Sequence, residues 1–374
     1  MRNILDYIEW RGDLTFSQSG FNEVDNLVLS MLSYFDFEGI IPSPGEGEIS
    51  IEEASRQYFQ DRDTPVVPDE PSNSGKTLRW LLYAMAHCRR YRRLRLSSAV
   101  DILDVKKSVQ FDAFCIHINR NQAYLSFRGT SDDLAGWKED FLLACVPEIP
   151  SQREALNYLE RVAGLYPEKT FMLGGHSKGG NLAVYAAACA SAELQNRVVA
   201  VWSNDGPGFQ EDMLCSDGYN NIVNVVHHIV PKSSVVGMLL AHDEHYKIVD
   251  SSQVGILQHD GFSWVISGNH FVELKALTDQ SVKADSTIRN WLQTVSYKDR
   301  MAFVDSLFDI LYATGASTLS EVRNDRLKAL AASLPHVRDM PKENREHIIE
   351  FILLLRQVTR RLNVESRIDR IRTR

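Results

Sequence analysis

Thr170–Ala188 reads TFMLGGHSKGGNLAVYAAA, and the reading of this stretch decides the fold. An apolar run, Phe171-Met172-Leu173, breaks into glycine-rich sequence from Gly174 to Gly180 and resumes as a segment of small residues. The expected order is strand, sharp turn, helix, with Ser177 at the apex of Gly175-His176-Ser177-Lys178-Gly179. Glycines at 175 and 179 remove the Cβ atoms that would collide where the strand folds back on its helix. The Ser177 hydroxyl then stands clear of the sheet. The amide of Lys178, at the start of the helix, faces the place where an oxyanion needs a donor. A G-x-S-x-G pattern arises by chance, and its place between an apolar strand and a small-residue helix is what gives it weight.

Working outward, Ser151–Leu165 has the spacing of an amphipathic helix that Pro167 stops. Upstream, Phe111–Ile118 and Ala123–Phe127 alternate with period two about Asn119–Gln122 and read as a hairpin. Downstream, Val198–Trp202 and Ile222–Val230 are β-branched runs. Repeated β-α-β units predict a mostly parallel sheet with helices on both faces, an α/β class. Lys76–Arg95 reads as one helix ending in the basic cluster RRYRRLR, taken as a solvated face. Before it, residues 1–75 hold two helix-like runs, with Ile4 to Trp10 in the first and Val24 to Leu32 in the second, and a proline-rich loop from Asp61 to Gly75. That loop ends in SNSGKT. A phosphate-binding loop needs a glycine five positions before Gly75, where Glu70 stands, so this reading is discarded. The expected division is therefore an N-terminal helical segment and linker (1–75), an α/β core (76–275) and a C-terminal helical annex (276–374).

The annex is read as helices at Met301–Tyr312, from Thr318 to about Leu334, and from Pro341 onward. The last has so full an apolar face that it must be buried against the core or a second subunit, so oligomers through these helices are one expectation. A lid or a peripheral contact with an anionic membrane is another.

Composition bounds the function. At 374 residues the chain can bury a large core. A net charge of −8 argues against nucleic acid as a partner. Five scattered cysteines without C-x-x-C spacing fit free thiols, and no uncharged run reaches the ~20 residues of a bilayer span. The N-terminus has charges inside its apolar stretch and does not read as a signal peptide. The expectation is a cytoplasmic protein.

Phe127-Arg128-Gly129-Thr130, a helix, and then Gly175-His176-Ser177-Lys178-Gly179-Gly180 resemble the class 3 (fungal-type) lipase branch of the α/β-hydrolase fold. The wider order resembles the bacterial Mbeg1-like (DUF2974) group of lipase-like proteins more closely. Its marks are the segment from Asp6-Tyr7 to Asp25, Gly136-Trp137-Lys138-Glu139-Asp140, GGHSKGGNLA, NDGPGF (204–209), VPKSSVVG (230–237) and QHDGFSW (258–264). The resemblance implies a serine hydrolase, with Thr130 and Lys178 supplying the two oxyanion donors.

A serine hydroxyl needs an imidazole to take its proton and a carboxylate to orient that imidazole. Candidate histidines after the nucleophile are His227, His228, His242, His245, His259 and His270. His259 is preferred because Gln258-His259-Asp260-Gly261 reads as a turn after an extended stretch, whereas His227 and His228 fall inside a strand; His270 is second. The acid is harder. In class 3 lipases the aspartate directly precedes an Ile-Val-Pro segment, and here His228 stands at that position. Asp205, one strand earlier, is the candidate, against a reading in which it merely caps the Gly206-Pro207 turn; Asp243 and Asp260 follow. His242-Asp243-Glu244-His245 offers one pair of ligands but no second, so no metal site is expected.

The expected function is hydrolysis of carboxylic esters, acyl lipids among them, through an acyl-enzyme on Ser177 and without metal or organic cofactor. A thioester or amide is the same chemistry on another leaving group. From a different class, a non-catalytic pseudo-hydrolase acting as a binding or scaffolding module is the alternative. Lys178 places a cation beside the nucleophile and implies tolerance of anionic substrates.

Overall fold

A computed structural model describes residues 3–69, 71–240, 246–279, 281, 295–318 and 321. The elements run α1 (Ile4–Arg11), α2 (Glu23–Leu32), β1 (Glu48–Ser50), α3 (Ile51–Phe59), α4 (Gly75–His87), β2 (Arg95–Asp104), β3 (Val109–His117), β4 (Gln122–Phe127), α5 (Leu134–Leu143) and α6 (Pro150–Leu165). Then come β5 (Thr170–His176), α7 (Lys178–Cys189), α8 (Ala192–Gln195), β6 (Val198–Asn204), α9 (Glu211–Leu214), α10 (Asp217–Ile222), β7 (Val226–Pro231), β8 (Lys247–Val249), β9 (Ile266–Ser267), β10 (His270–Phe271) and β11 (Glu273–Leu274). A further helix spans Tyr297–Ala313.

Two compact units form: Met1–Ile102 with Phe111–Gly129 and Ser151–Thr278, and Leu103–Gln110 with Thr130–Pro150 and Asp279–Arg374.

Among the described residues, nine strands form one sheet in the order β1-β2-β3-β4-β5-β6-β7-β8-β11. The pairs from β4 to β8 are parallel, while β1–β2, β3–β4 and β8–β11 are antiparallel. This mixed, mostly parallel sheet flanked by helices is the expected α/β class. β5 is buried from Phe171 to His176, which is why it reads as an unbroken apolar run instead of alternating. The registers Phe127↔Gly175 and His176↔Asn204 bring the C-terminal ends of β4, β5 and β6 level. Ligand sites of α/β sheets lie at that edge.

Adjacent residues of a strand face opposite sides of the sheet, and the two glycines of β5 show what covers each. A Cβ at Gly174 would lie 2.1 Å from the Tyr124 hydroxyl and 2.8 Å from Asn26 of α2. A Cβ at Gly175 would lie 2.3 Å from Gly179 of α7. So α2 packs on one face of β5 and α7 on the other. A capping box starts α2, in which Asn22 Oδ1 accepts the amides of Val24 and Asp25 and Asp25 returns a bond to the Asn22 amide. Every residue of α2 from Val24 to Leu32 is buried, so it is a layer of the core and not an appendage.

The basic cluster departs from expectation. α4 ends at His87, Arg95 opens β2, and Arg90 and Tyr91 are buried. Arg90 Nε donates to Asp25 Oδ1 at 2.6 Å, Tyr91 donates to the same oxygen at 2.6 Å, and Arg90 also binds the carbonyls of Leu14, Ser19 and Gly20. A buried carboxylate in α2 thus draws an arginine out of what looks like a solvated face. SNSGKT is helix-capping sequence: the Ser74 side chain caps α4.

In the second unit, α5 packs on the helix Tyr297–Ala313 around Cys145, Phe303, Val304 and Phe308. Lys138 pairs with Asp305 at 2.9 Å, and Arg300 donates to the Ala144 carbonyl at 2.6 Å. The predicted helices beyond Thr318 lie outside the described residues. The five cysteines are free, and no described helix is long and apolar enough to cross a membrane.

Candidate active site

Ser177 sits between β5 and α7 at φ 58°, ψ −133°, a backbone conformation that non-glycine residues rarely adopt. Its amide donates to the Asn204 carbonyl at 2.9 Å, and its carbonyl accepts from the Gly180 amide at 2.9 Å. The turn can close only because Gly175 and Gly179, two positions to either side of Ser177, lack a Cβ. One at Gly179 would lie 2.1 Å from the Phe127 carbonyl oxygen, and one at Gly175 would meet that same oxygen at 2.5 Å. Beneath the turn, the Asn204 side chain donates to the Gly175 carbonyl and to Ser30 Oγ, while Asn26 donates to Asn204 Oδ1 at 2.9 Å. The β6 end and α2 therefore hold the strained turn from below.

Asp205 follows β6 directly, is fully buried and also has a positive φ, 51°. Its Oδ1 accepts from Ser234 Oγ and from the Gly237 amide, and its Oδ2 lies 2.6 Å from His259 Nδ1. Because a carboxylate oxygen accepts, Nδ1 carries the proton and Nε2 keeps its lone pair. The loop behind Asp205 is fixed by Asn181 of α7, whose Nδ2 donates to the carbonyls of Pro207 and Gly208. A Cβ at Gly206 would lie 2.8 Å from the Ser177 carbonyl oxygen, so the acid and the serine occupy neighbouring turns. His259 ends a 3-10 segment, Gly255–His259, and its ring lies 4.5 Å from that of His176. Ser177, Asp205 and His259 thus gather at one edge of the sheet. Ser177 Oγ itself makes no hydrogen bond to a described residue. Catalytic hydrogen bonds are often long before substrate binds.

The other candidates fall elsewhere. Asp260 points away from catalysis: its carboxylate accepts the amides of Asn73 at 2.9 Å and Phe262 at 3.0 Å. His227 stacks on Trp202 with centroids 4.1 Å apart, and His228 is buried in β7. His270 is exposed on β10, 3.6 Å from Glu23. His242, Asp243, Glu244 and His245 lie outside the described residues. Thr130 belongs to the second unit, where its hydroxyl donates to Asp140 of α5 at 2.6 Å. Lys178 is the first residue of α7, where backbone amides have no partner within the helix. The residue is 1% exposed, so the cation that the sequence places beside the nucleophile is buried.

Four residues that hold the site were given no role from sequence. Ser234 and Gly237 lie in VPKSSVVG, where the only signal was the recurrence of the motif. His176 lies inside GGHSKGGNLA, where it drew no role beside Ser177, and Tyr34 lies in no motif.

The strand–strained turn–helix and the imidazole–carboxylate pair at the sheet edge define a chain of the α/β-hydrolase class. More particularly, the chain belongs to the Mbeg1-like family, whose sequence profile matches residues 85–309. A comparison with curated proteins gave no match. Among solved structures, the chain is similar to a triacylglycerol lipase whose catalytic centre is a serine protease triad, at 15% identity over 61% of this chain and 78% of that chain, TM-score 0.36. It is also similar to a variant of MDLA from Penicillium cyclopium (13% identity, 68% and 85% covered, TM-score 0.37) and to the Lip2 lipase of Yarrowia lipolytica (15%, 61% and 92%, TM-score 0.31).

Proposed function

We propose that the protein is a serine hydrolase that cleaves carboxylic esters through an acyl-enzyme on Ser177. The 2.6 Å bond between His259 Nδ1 and Asp205 Oδ2, beside a serine on a strained turn, is the observation that carries this reading. It leaves Nε2 of His259 as the proton acceptor. In the proposed reaction Ser177 Oγ attacks the ester carbonyl carbon while its proton passes to Nε2. The tetrahedral oxyanion is held by the Lys178 amide at the α7 N-terminus, each such donor being worth about 3 kcal/mol. Thr130 as the second donor rests on the FRGT pattern. Collapse expels the alcohol, which takes the proton from Nε2, and a water activated by the same imidazole then releases the acid and frees Ser177.

The test is labelling by a fluorophosphonate probe. Expected is one label per chain, lost in Ser177→Ala. Labelling that survives this substitution, or never occurs, favours the binding-module reading.

A further inference from the structure

His176 precedes the nucleophile and has no task in the proposed chemistry, yet it is 2% exposed with both ring nitrogens engaged. A leucine would fill such a position without the cost of burying two polar atoms. Nε2 lies 2.6 Å from the carbonyl oxygen of His259, and Nδ1 lies 2.9 Å from the Tyr34 hydroxyl. A carbonyl only accepts, so Nε2 carries the proton; Nδ1 must then accept from Tyr34. The same hydroxyl approaches the His176 carbonyl at 3.4 Å, the longer of its two contacts. Burial above all pushes His176 down to about 3, so the ring is neutral at neutral pH.

Gly129, the glycine of FRGT, is the second observation. A Cβ there would lie 2.0 Å from the Tyr34 hydroxyl and 2.6 Å from the His176 carbonyl oxygen. The space left by that glycine is where Tyr34 reaches the ring. Meanwhile His259 stands at the end of a single 3-10 turn whose imidazole is tied to Asp205. A side chain tied only at its tip still drifts if its backbone does.

We propose that Tyr34 and His176 are positioning residues: the chain Tyr34 Oη–H to His176, and His176 Nε2–H to the His259 carbonyl, pins the backbone of the catalytic base. The proposal rests on the hydrolase reading of the same site.

The experiment compares wild type with Tyr34→Phe, His176→Leu and His176→Gln, whose side-chain amide keeps an N–H donor. It measures fluorophosphonate labelling rate, kcat and KM on a p-nitrophenyl ester, thermal midpoint, and the low-field proton resonance of His259 Nδ1–H, assigned by its loss in Asp205→Asn. Expected for Tyr34→Phe and His176→Leu is a fall in labelling rate and kcat of about tenfold to a hundredfold, the range for a catalytic group displaced by an ångström or less, with KM within about twofold. His176→Gln recovers most of the loss. Labelling of both variants within about twofold of wild type, or His176→Gln as slow as His176→Leu, overturns the proposal. If His176→Leu does not fold, Tyr34→Phe against wild type decides. A wild type that never labels refutes the hydrolase reading alone. In that case a low-field resonance that moves in His176→Leu and returns in His176→Gln still supports the pinning, and one that does not move overturns it.

Discussion

Gly237→Ala is the substitution that tests the site most directly without touching a reacting atom. The Gly237 φ lies outside the left-handed region, so alanine is free to adopt its backbone and only space is at issue. The new Cβ would lie 2.3 Å from Asp205 Oδ1, 2.8 Å from Val230 Cγ1 and 2.9 Å from Ser234 Oγ. The first is about 1 Å short of ordinary contact, and the atom it meets is the carboxylate oxygen that Ser234 and the Gly237 amide hold. Either the carboxylate moves or its two donors do. Since Oδ2 of the same group orients His259, a shift approaching 1 Å passes to the imidazole, and displacements of that size cost about a hundredfold in rate. At 1.36 kcal/mol per tenfold this is about 2.7 kcal/mol of lost transition-state stabilisation. Overpacking adds about 1–3 kcal/mol to the folding cost, so stability is measured alongside by urea titration. The assay is kcat/KM on a p-nitrophenyl ester together with the fluorophosphonate labelling rate. A folded Gly237→Ala variant within threefold of wild type in both would refute the view that these donors set the position of Asp205.

The remaining predictions are simpler. Asp205→Asn slows Ser177 labelling by at least about a hundredfold, because the amide no longer holds Nδ1–H in place, while Asp260→Asn stays within about threefold; equal effects would mean the acid is misassigned. His176 is neutral when buried, near 3 against an ordinary 6.5, so unfolding lets it take up a proton below pH 6.5. Its contribution to stability is therefore full above 6.5 and is lost as pH falls toward 3, with a slope of up to about 1.4 kcal/mol per pH unit. Wild type should lose stability faster than His176→Gln between pH 6.5 and 4 in denaturant titrations, and parallel curves would contradict this. Asp25→Asn leaves the buried Arg90 charge without its partner and should destabilise by about 3 kcal/mol or more in urea unfolding; a change under 1 kcal/mol would show that the three backbone carbonyls suffice.

The sheet and the site were legible in sequence to different depths. The turn at Ser177 was readable because strain, apolar strand and small-residue helix each leave a local mark. The hairpin before Gly129 was readable because its alternation is local too. Asp205 and His259 were readable only as candidates among several, since 54 positions separate them and nothing local couples them. What the sequence hid was the work of polar residues acting at a distance: Arg90 looks like part of a charged helix end until Asp25 is placed beside it, and β2 begins at Arg95, the last residue of the expected helix. Tyr34 lies in no motif, and its meaning depends on a glycine 95 positions away.

The position of α2 has a practical corollary. The family profile starts at residue 85, and a clone trimmed to that span would keep Ser177, Asp205 and His259 yet lose Asn26, Ser30 and Tyr34. Asn204, Tyr124 and His176 would then face an uncovered side of the sheet and each lose its hydrogen-bond partner from α2 or the residues just after it. The smallest portable version of this fold therefore begins before Asn22, and its leading helix travels with the sheet it braces.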